Sequence, residues 1–253
     1  MDPLVAARLL RFGGMAAASL FTCTPMLLTR RPQTPLRVLC IGAFEYLARL
    51  NGRKLDRAGR IALACACDFG ALRNDFYDQR ELDRRFYREL RCRLRHMAPR
   101  KETLRYIRDL RQAERGRPAC GPDGFSEPHA VVQYRNRVLE VSVVWLRDIS
   151  RRSLEPCLFR AVVALVGLVQ LVDDLLDWKD DWACRRPTYV TAFLHQWAHP
   201  TTEAMTQLRF RANRFRRLLV AASARRVEAV PLMLAGGVVW LMAVFLMRVR
   251  FPE

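Results

Sequence analysis

Ser153–Trp182 reads SLEPCLFRAVVALVGLVQLVDDLLDWKDDW. Its first part is apolar almost without a break and far too long for a strand. Ser153 with Pro156 is a helix-start signature, so the stretch is expected to form one long helix ending at Trp182. A helix that is hydrophobic on every side belongs in a core or in lipid. Past Gln170, however, acids crowd in: Asp173, Asp174, Asp177, Asp180 and Asp181. Carboxylates on a helix that otherwise demands burial need a partner, because an unpaired buried charge is costly.

The rest of the chain repeats the helical period outward from this segment. Leu36–Leu50 is expected to be a helix stopped by Asn51–Gly52. Asp56 is placed to cap the next, which should run to about Asp78. In Gln79–Arg95 the residues Leu82, Phe86, Leu90 and Leu94 form one apolar stripe at i, i+4 spacing. Pro99 starts another helix that fades at Gly116–Arg117–Pro118. Gly116–Pro128, with three Gly and three Pro, reads as the main loop. Ala130–Arg151 is a further helix; Pro187 then breaks the chain, a short helix follows, and Thr201–Val227 forms another. Nothing alternates as a strand for long. The expected fold is an all-α, single-domain helical bundle over 35–227, with an N-terminal helical appendage at 1–34 and a C-terminal hydrophobic helix at 228–253.

Composition narrows the function classes. The 253 residues are 51% hydrophobic, enough for a sizeable core, and this excludes a mostly disordered chain. Only 12 Gly and 13 Pro exclude a collagen-like or low-complexity one. A net charge of +18 calls for an anionic partner. The only lysines are Lys54, Lys101 and Lys179, so the charge is almost wholly arginine. In Arg80–Arg117 those arginines alternate with Glu81, Asp83, Glu89, Glu102, Asp109 and Glu114 at spacings that permit i, i+4 pairs, which favours a solvated face over a nucleic-acid surface. Eight cysteines without a CxxC pair, most of them in apolar helical runs, point to buried, reduced thiols in a cytoplasmic protein. The four histidines lack zinc-ligand spacing with them. Gly13–Leu28 is apolar but interrupted by Thr24 and Pro25, and is short for a membrane span. Val230–Met247 is uncharged over about 27 Å of helix, with Arg225 and Arg226 before it and Arg248 and Arg250 after it. A membrane contact through 230–247 and a packed last helix, aided by Gly236–Gly237, both fit that pattern.

The chemistry-bearing residues lie in two places. At about 100° per residue Asp173, Asp177 and Asp180 fall within roughly 60° of one another, flanked by Asp174, Asp181 and Gln170. Asn74 and Asp78 likewise share a face, with Asp75 alongside. Carboxylates at i, i+4 repel unless a cation lies between them. Hard oxygens in this pattern suit Mg²⁺, which bridges protein carboxylates to substrate phosphates. If the two helices face each other across a cavity, a diphosphate could be held between the acid clusters.

These residues resemble a known family over about Leu36–Leu219. Asn74-Asp75-x-x-Asp78 is similar to the first aspartate-rich motif, DDxxD, of trans-isoprenyl (polyprenyl) diphosphate synthases, with Asn in place of the first acid. Gln170-x-x-Asp173-Asp174-x-x-Asp177 resembles the second motif, QxxDDxxD, with Gly167 one turn earlier. Arg186-Pro187-Thr188-Tyr189 looks like the family's basic residue followed by Thr-Tyr, and Arg84-Arg85 lies near its arginine pair. The resemblance implies the class I isoprenoid synthase fold, with helices around a deep cavity and three Mg²⁺ ions drawing off diphosphate. It implies Asp75, Asp78, Asp173, Asp174 and Asp177 as catalytic metal ligands, with Asn74 as a further ligand. Arg84, Arg85, Gln170, Arg186 and Tyr189 would contact substrate. Phe69, Phe76 and Tyr77 lie where cavity depth is set, although core packing is the better reading of Phe69.

The expected partner is a prenyl diphosphate, and a homodimer fits the family. The motifs are only about a hundred residues apart, and the basic glycine segment for a second substrate is echoed only by Asn51-Gly52-Arg53-Lys54. Prenyl transfer and cyclisation by a single-substrate terpene synthase therefore both stay open, as does similarity to squalene and phytoene synthases. The alternatives of another class are a basic helical scaffold and an inactive partner of an active homologue.

Overall fold

The computed structural model describes residues 3–23, 34–50, 55–78, 83–97, 100–149, 155–194 and 202–251. Among them are ten α-helices and no strand, so the chain is all-α. The helices are α1 (Pro3–Cys23), α2 (Thr34–Leu50), α3 (Arg57–Tyr77), α4 (Arg84–Met97), α5 (Arg100–Arg115), α6 (Pro128–Ile149), α7 (Pro156–Leu176), α8 (Trp178–Ala183), α9 (Thr202–Arg225) and α10 (Val230–Arg250). Two compact units divide the chain: Met1–Asp109 with Val141–Glu155, and Leu110–Glu140 with Pro156–Glu253.

In the first unit α1 packs on α2, α2 on α3 and α3 on α4. Asp56 caps α3 as its position implied, its Oδ1 accepting from the Gly59 N–H at 2.6 Å. One face of α3 is small and apolar (Ala62, Ala66) and then large (Phe69, Leu72), all buried. Phe69 stacks on Tyr87 at 5.3 Å and meets Trp145 at 5.9 Å, while Tyr106 lies flat on Trp145 at 4.0 Å. Phe69 is thus a core residue. On α4 Leu90 and Leu94 are buried, Phe86 is half-buried, and Leu82 lies outside the described residues. Asp83 caps that helix by accepting from the Phe86 N–H at 2.9 Å. Glu45, wholly buried on α2, is neutralised by Arg49 at 3.1 Å and by Arg60 of α3 at 3.2 Å.

The second unit is built around α7, whose Ala161, Val162, Leu165, Leu168, Leu171, Val172 and Leu175 are all buried. Each fully buried Val or Leu side chain contributes about 1.5–3 kcal/mol. α9 and α10 both pack on α7 and on each other. Two glycines permit this closeness. A Cβ on Gly167 would stand 2.6 Å from the ring of Phe215 on α9, and one on Gly236 would overlap Leu219 Cδ1. Gly124, in the 116–127 loop, has φ +109°, and a side chain there would also strike the carbonyl of Leu194 at 2.7 Å.

Three expectations are corrected. The helix expected over Ser153–Trp182 is two helices, bent at Asp177 (φ −102°, ψ 9°), with Ser153 outside the described residues. The short helix after Pro187 is a single 3₁₀ turn, Thr191–Phe193. Of the cysteines expected to be buried, Cys92 and Cys184 are exposed, because both sit on solvent-facing turns of helices or their ends. Cys40, Cys65 and Cys157 are buried, and the described cysteines are free thiols.

The packing at the glycines sets a test. Gly167→Ala forces the Phe215 ring aside and should cost about 1–3 kcal/mol. Gly237→Ala, which meets nothing within 4 Å, should instead stabilise by about 0.5–1 kcal/mol through helix propensity. Thermal unfolding followed by circular dichroism compares the two. Equal behaviour would show that the α7–α9 contact does not depend on Gly167.

Candidate functional site

The acids at the end of α7 divide into an inner and an outer set. Backbone hydrogen bonding continues through the bend, from the Asp177 N–H to the Asp173 carbonyl at 3.1 Å and from the Asp181 N–H to the Asp177 carbonyl at 3.0 Å. Helical register therefore survives the kink. Asp174 and Asp181 turn into the core, Asp173 and Asp177 are half-buried, and Asp180 is exposed.

The inner acids are matched by cations. Arg135 of α6, itself buried, donates to Asp174 Oδ1 at 2.8 Å, and the Tyr189 N–H donates to Asp174 Oδ2 at 2.8 Å. Arg186 donates to Asp181 Oδ1 at 3.1 Å. Behind Asp174, the Tyr189 hydroxyl donates to Asn136 Oδ1 at 2.8 Å, and Arg211 of α9 reaches the same oxygen at 3.3 Å. The guanidinium groups of Arg211 and Arg135 lie 5.1 and 5.9 Å from the centre of the Tyr189 ring. A closed turn holds the tyrosine in place: the Thr188 N–H donates to Thr191 Oγ1 at 2.8 Å, the Thr191 N–H donates to Thr188 Oγ1 at 3.1 Å, and the Thr191 hydroxyl donates to the Arg186 carbonyl.

Asp173 is treated differently. Its Oδ1 is buried and has no hydrogen-bond partner. Burial, then the negative charges of Asp174 and Asp177, push its carboxyl up to about 7, against a smaller opposing pull from Arg135. Asp174 is also raised, to about 6, because burial, aided by the charge of Asp181, outweighs Arg135 and the Tyr189 N–H. Burial likewise pushes the Tyr189 hydroxyl up to about 12. An outer, half-buried acid is thus left short of positive charge and with one oxygen unpartnered, while Asp174 is met by Arg135 and the Tyr189 N–H and Asp181 by Arg186.

The remaining expected residues fall as follows. Gln170 is half-buried on α7, one turn before Asp174. Arg186 and Tyr189 are buried within the network just described. Asn74, Asp75 and Asp78 lie at the end of α3, in the first unit. The Asn74 amide donates to Asp78 Oδ2 at 2.9 Å, so this i, i+4 pair is satisfied without a cation, as two carboxylates would not be. Asp75 is buried. Phe76 is exposed, edge-on to Tyr77, with Arg73 over both rings at 5.4 and 5.1 Å. Arg84 and Arg85 are exposed in the first turn of α4. Among the described residues no three His, Cys, Asp or Glu side chains converge closely enough to hold a metal ion.

Sequence reasoning missed Arg135, Asn136 and Arg211. Two of them carried a signal. Arg135 falls on the stripe Val131, Arg135, Val138, and Arg211 on Leu208, Arg211, Phe215, each a cation at a position where the helical period demands an apolar residue. No family model, curated protein or solved structure matches this chain.

The state of Asp173 has a measurable sign. With divalent ions chelated, its neighbours are Asp174, Asp177 and Asp181, opposed by Arg135. Its folded value lies above the unfolded one. Its contribution to stability is therefore complete below about pH 4 and is lost as the pH rises through about 7. Asp173→Asn should escape this loss. In urea it should be more stable than the parent at about pH 8, by on the order of 1–3 kcal/mol, with the gap closing towards pH 4. A parent more stable than the variant at the alkaline end would contradict the deficit of positive charge at Asp173.

Proposed function

We propose that this chain is a Mg²⁺-dependent enzyme of the class I isoprenoid-synthase type. It would ionise an allylic prenyl diphosphate, release diphosphate, and condense or cyclise the hydrocarbon that remains. The observation that carries this reading is the buried oxygen of Asp173, without a partner at the end of a core helix whose next acid, Asp174, accepts from both Arg135 and the Tyr189 N–H. A carboxylate placed there for stability alone would be paired as Asp174 is.

Mg²⁺ commonly takes one or two carboxylates and completes its shell with water and substrate phosphates, so it needs no all-protein cage. Asp173 on α7 and Asp177 at the bend that follows it would supply the carboxylates. Bound Mg²⁺ supplies positive charge to the diphosphate as it leaves. Asp174 has a different part: with Arg135 and Tyr189 it fixes the end of α7, so that Asp173 is held at a set height and angle. Arg84 and Arg85, which are exposed, would contact the anionic substrate by the family resemblance alone. The QxxDDxxD resemblance supports the same reading.

Two measurements test it. The chain is incubated with geranyl, farnesyl and geranylgeranyl diphosphates, with and without isopentenyl diphosphate, and released diphosphate and product mass are recorded. Release should require Mg²⁺ and fall on the order of 100-fold or more in Asp173→Asn, with helical circular dichroism unchanged. Mg²⁺ should also raise the melting temperature of the parent but not of Asp173→Asn. Turnover equal in parent and variant, or no release from any of the three substrates, would remove the proposal. A product heavier by one isoprene unit marks condensation, and a cyclic hydrocarbon or alcohol marks cyclisation.

A further inference from the structure

Among the described residues two helices, α7 and the segment containing α10, are long and apolar enough to cross a membrane. More than half of α7 is buried, as befits a core helix, whereas only a third of the α10 segment is. α10 has two faces, although almost every residue on it is apolar. Leu232, Gly236, Val239, Ala243 and Met247 recur at helical spacing and are buried where α10 packs on α7 and α9. On the opposite side Leu234, Val238, Leu241, Met242, Phe245 and Val249 span about 100° of the helical wheel and are each 44–64% exposed. Single exposed apolar residues are ordinary; an unbroken stripe about 22 Å long is not.

The surroundings of the stripe are cationic. Residues 202–251 carry nine arginines against Glu203 and Glu228. Arg225 and Arg226 precede the stripe, and Arg248 and Arg250 end it. On α9 an open hollow of about 580 Å³ is lined by Asn213, Arg216, Arg217, Val220, Ala221 and Ala224. It connects to α10 through Trp240, whose indole N–H donates to Asn213 Oδ1 at 3.0 Å beneath the Arg216 guanidinium, 4.4 Å from the ring centre.

We propose that the outer face of α10 docks on an anionic phospholipid membrane, lying in the plane of the interface, with Arg216 and Arg217 taking lipid phosphate. Three observations select this occupant. The stripe is apolar and its rim is positive, the combination that headgroups over acyl chains complement. α10 cannot span alone, because its inner face is packed on α9, and a transmembrane position would carry the exposed arginines of α9 to mid-bilayer depth. A second copy would set the same arginines against each other across the contact.

The test is co-sedimentation of the full chain with vesicles of phosphatidylcholine alone or mixed with phosphatidylglycerol. Binding should require phosphatidylglycerol, weaken with added salt, and be reversed by alkaline carbonate. Leu241→Asp with Phe245→Asp should lower it at least tenfold, and Arg216→Glu with Arg217→Glu should abolish the preference for the anionic lipid. All four positions are exposed, and unchanged thermal unfolding confirms that each variant is folded. Carbonate-resistant retention would overturn the proposal in favour of a span. A dimer broken by Phe245→Asp in a chain that ignores vesicles would overturn it in favour of self-association. Binding indifferent to lipid charge or to these substitutions would overturn it outright.

Discussion

The ion pair between Arg135 and Asp174 is the constraint around which the second unit is organised. α7 is apolar on nearly every side and buried for most of its length. A carboxylate in that setting is tolerated only where a cation and further donors meet it, and removing one partner of such a pair typically costs about 3–5 kcal/mol. Arg135 brings in α6, the Tyr189 N–H brings in the turn after α8, and Asn136 with Arg211 ties in α9. Four segments thus meet at one charge. A slip in any of them would leave a buried group without its complement, so the arrangement specifies geometry more than it adds net stability.

Arginine serves two unlike purposes in this chain. Arg135, Arg186, and Arg49 with Arg60 each answer a buried acid, namely Asp174, Asp181 and Glu45. The guanidinium keeps its charge at any accessible pH and presents several donors in a fixed plane, which suits it to such sites better than lysine. The outward arginines of α4 and α9 face water and account for much of the +18. A bare count of charge mixes the two groups, and only the structure separates them.

Much of the architecture could be read in advance, and the reasons are local. The Asp56 cap, the Phe86, Leu90 and Leu94 part of the α4 stripe and the Gly/Pro loop, which ends at 127, each depend on residues within a few positions of one another, and each was found where the period and the turn chemistry placed it. The bend at Asp177 was not legible, because it interrupts neither the hydrogen-bond register nor the apolar pattern. The acids on α7 stood out by type, yet the difference between the paired Asp174 and the partly unpartnered Asp173 depends on Arg135, which arrives from 39 residues away. Pairing over such a distance leaves no trace in spacing. What it does leave is an arginine on a greasy stripe, a sign that is visible once one looks for it.

Gly236 reaches further than its own contact. Because a Cβ at Gly236 would overlap Leu219 Cδ1, the contact favours one particular azimuth of α10 about its long axis. A turn of one residue, about 100°, in one sense would set the Ala235 methyl against Leu219, and in either sense would rotate a different set of side chains outward. The face that α10 turns outward is therefore linked to the missing side chain on its inside, and a change at that buried point would be felt on a surface it never touches.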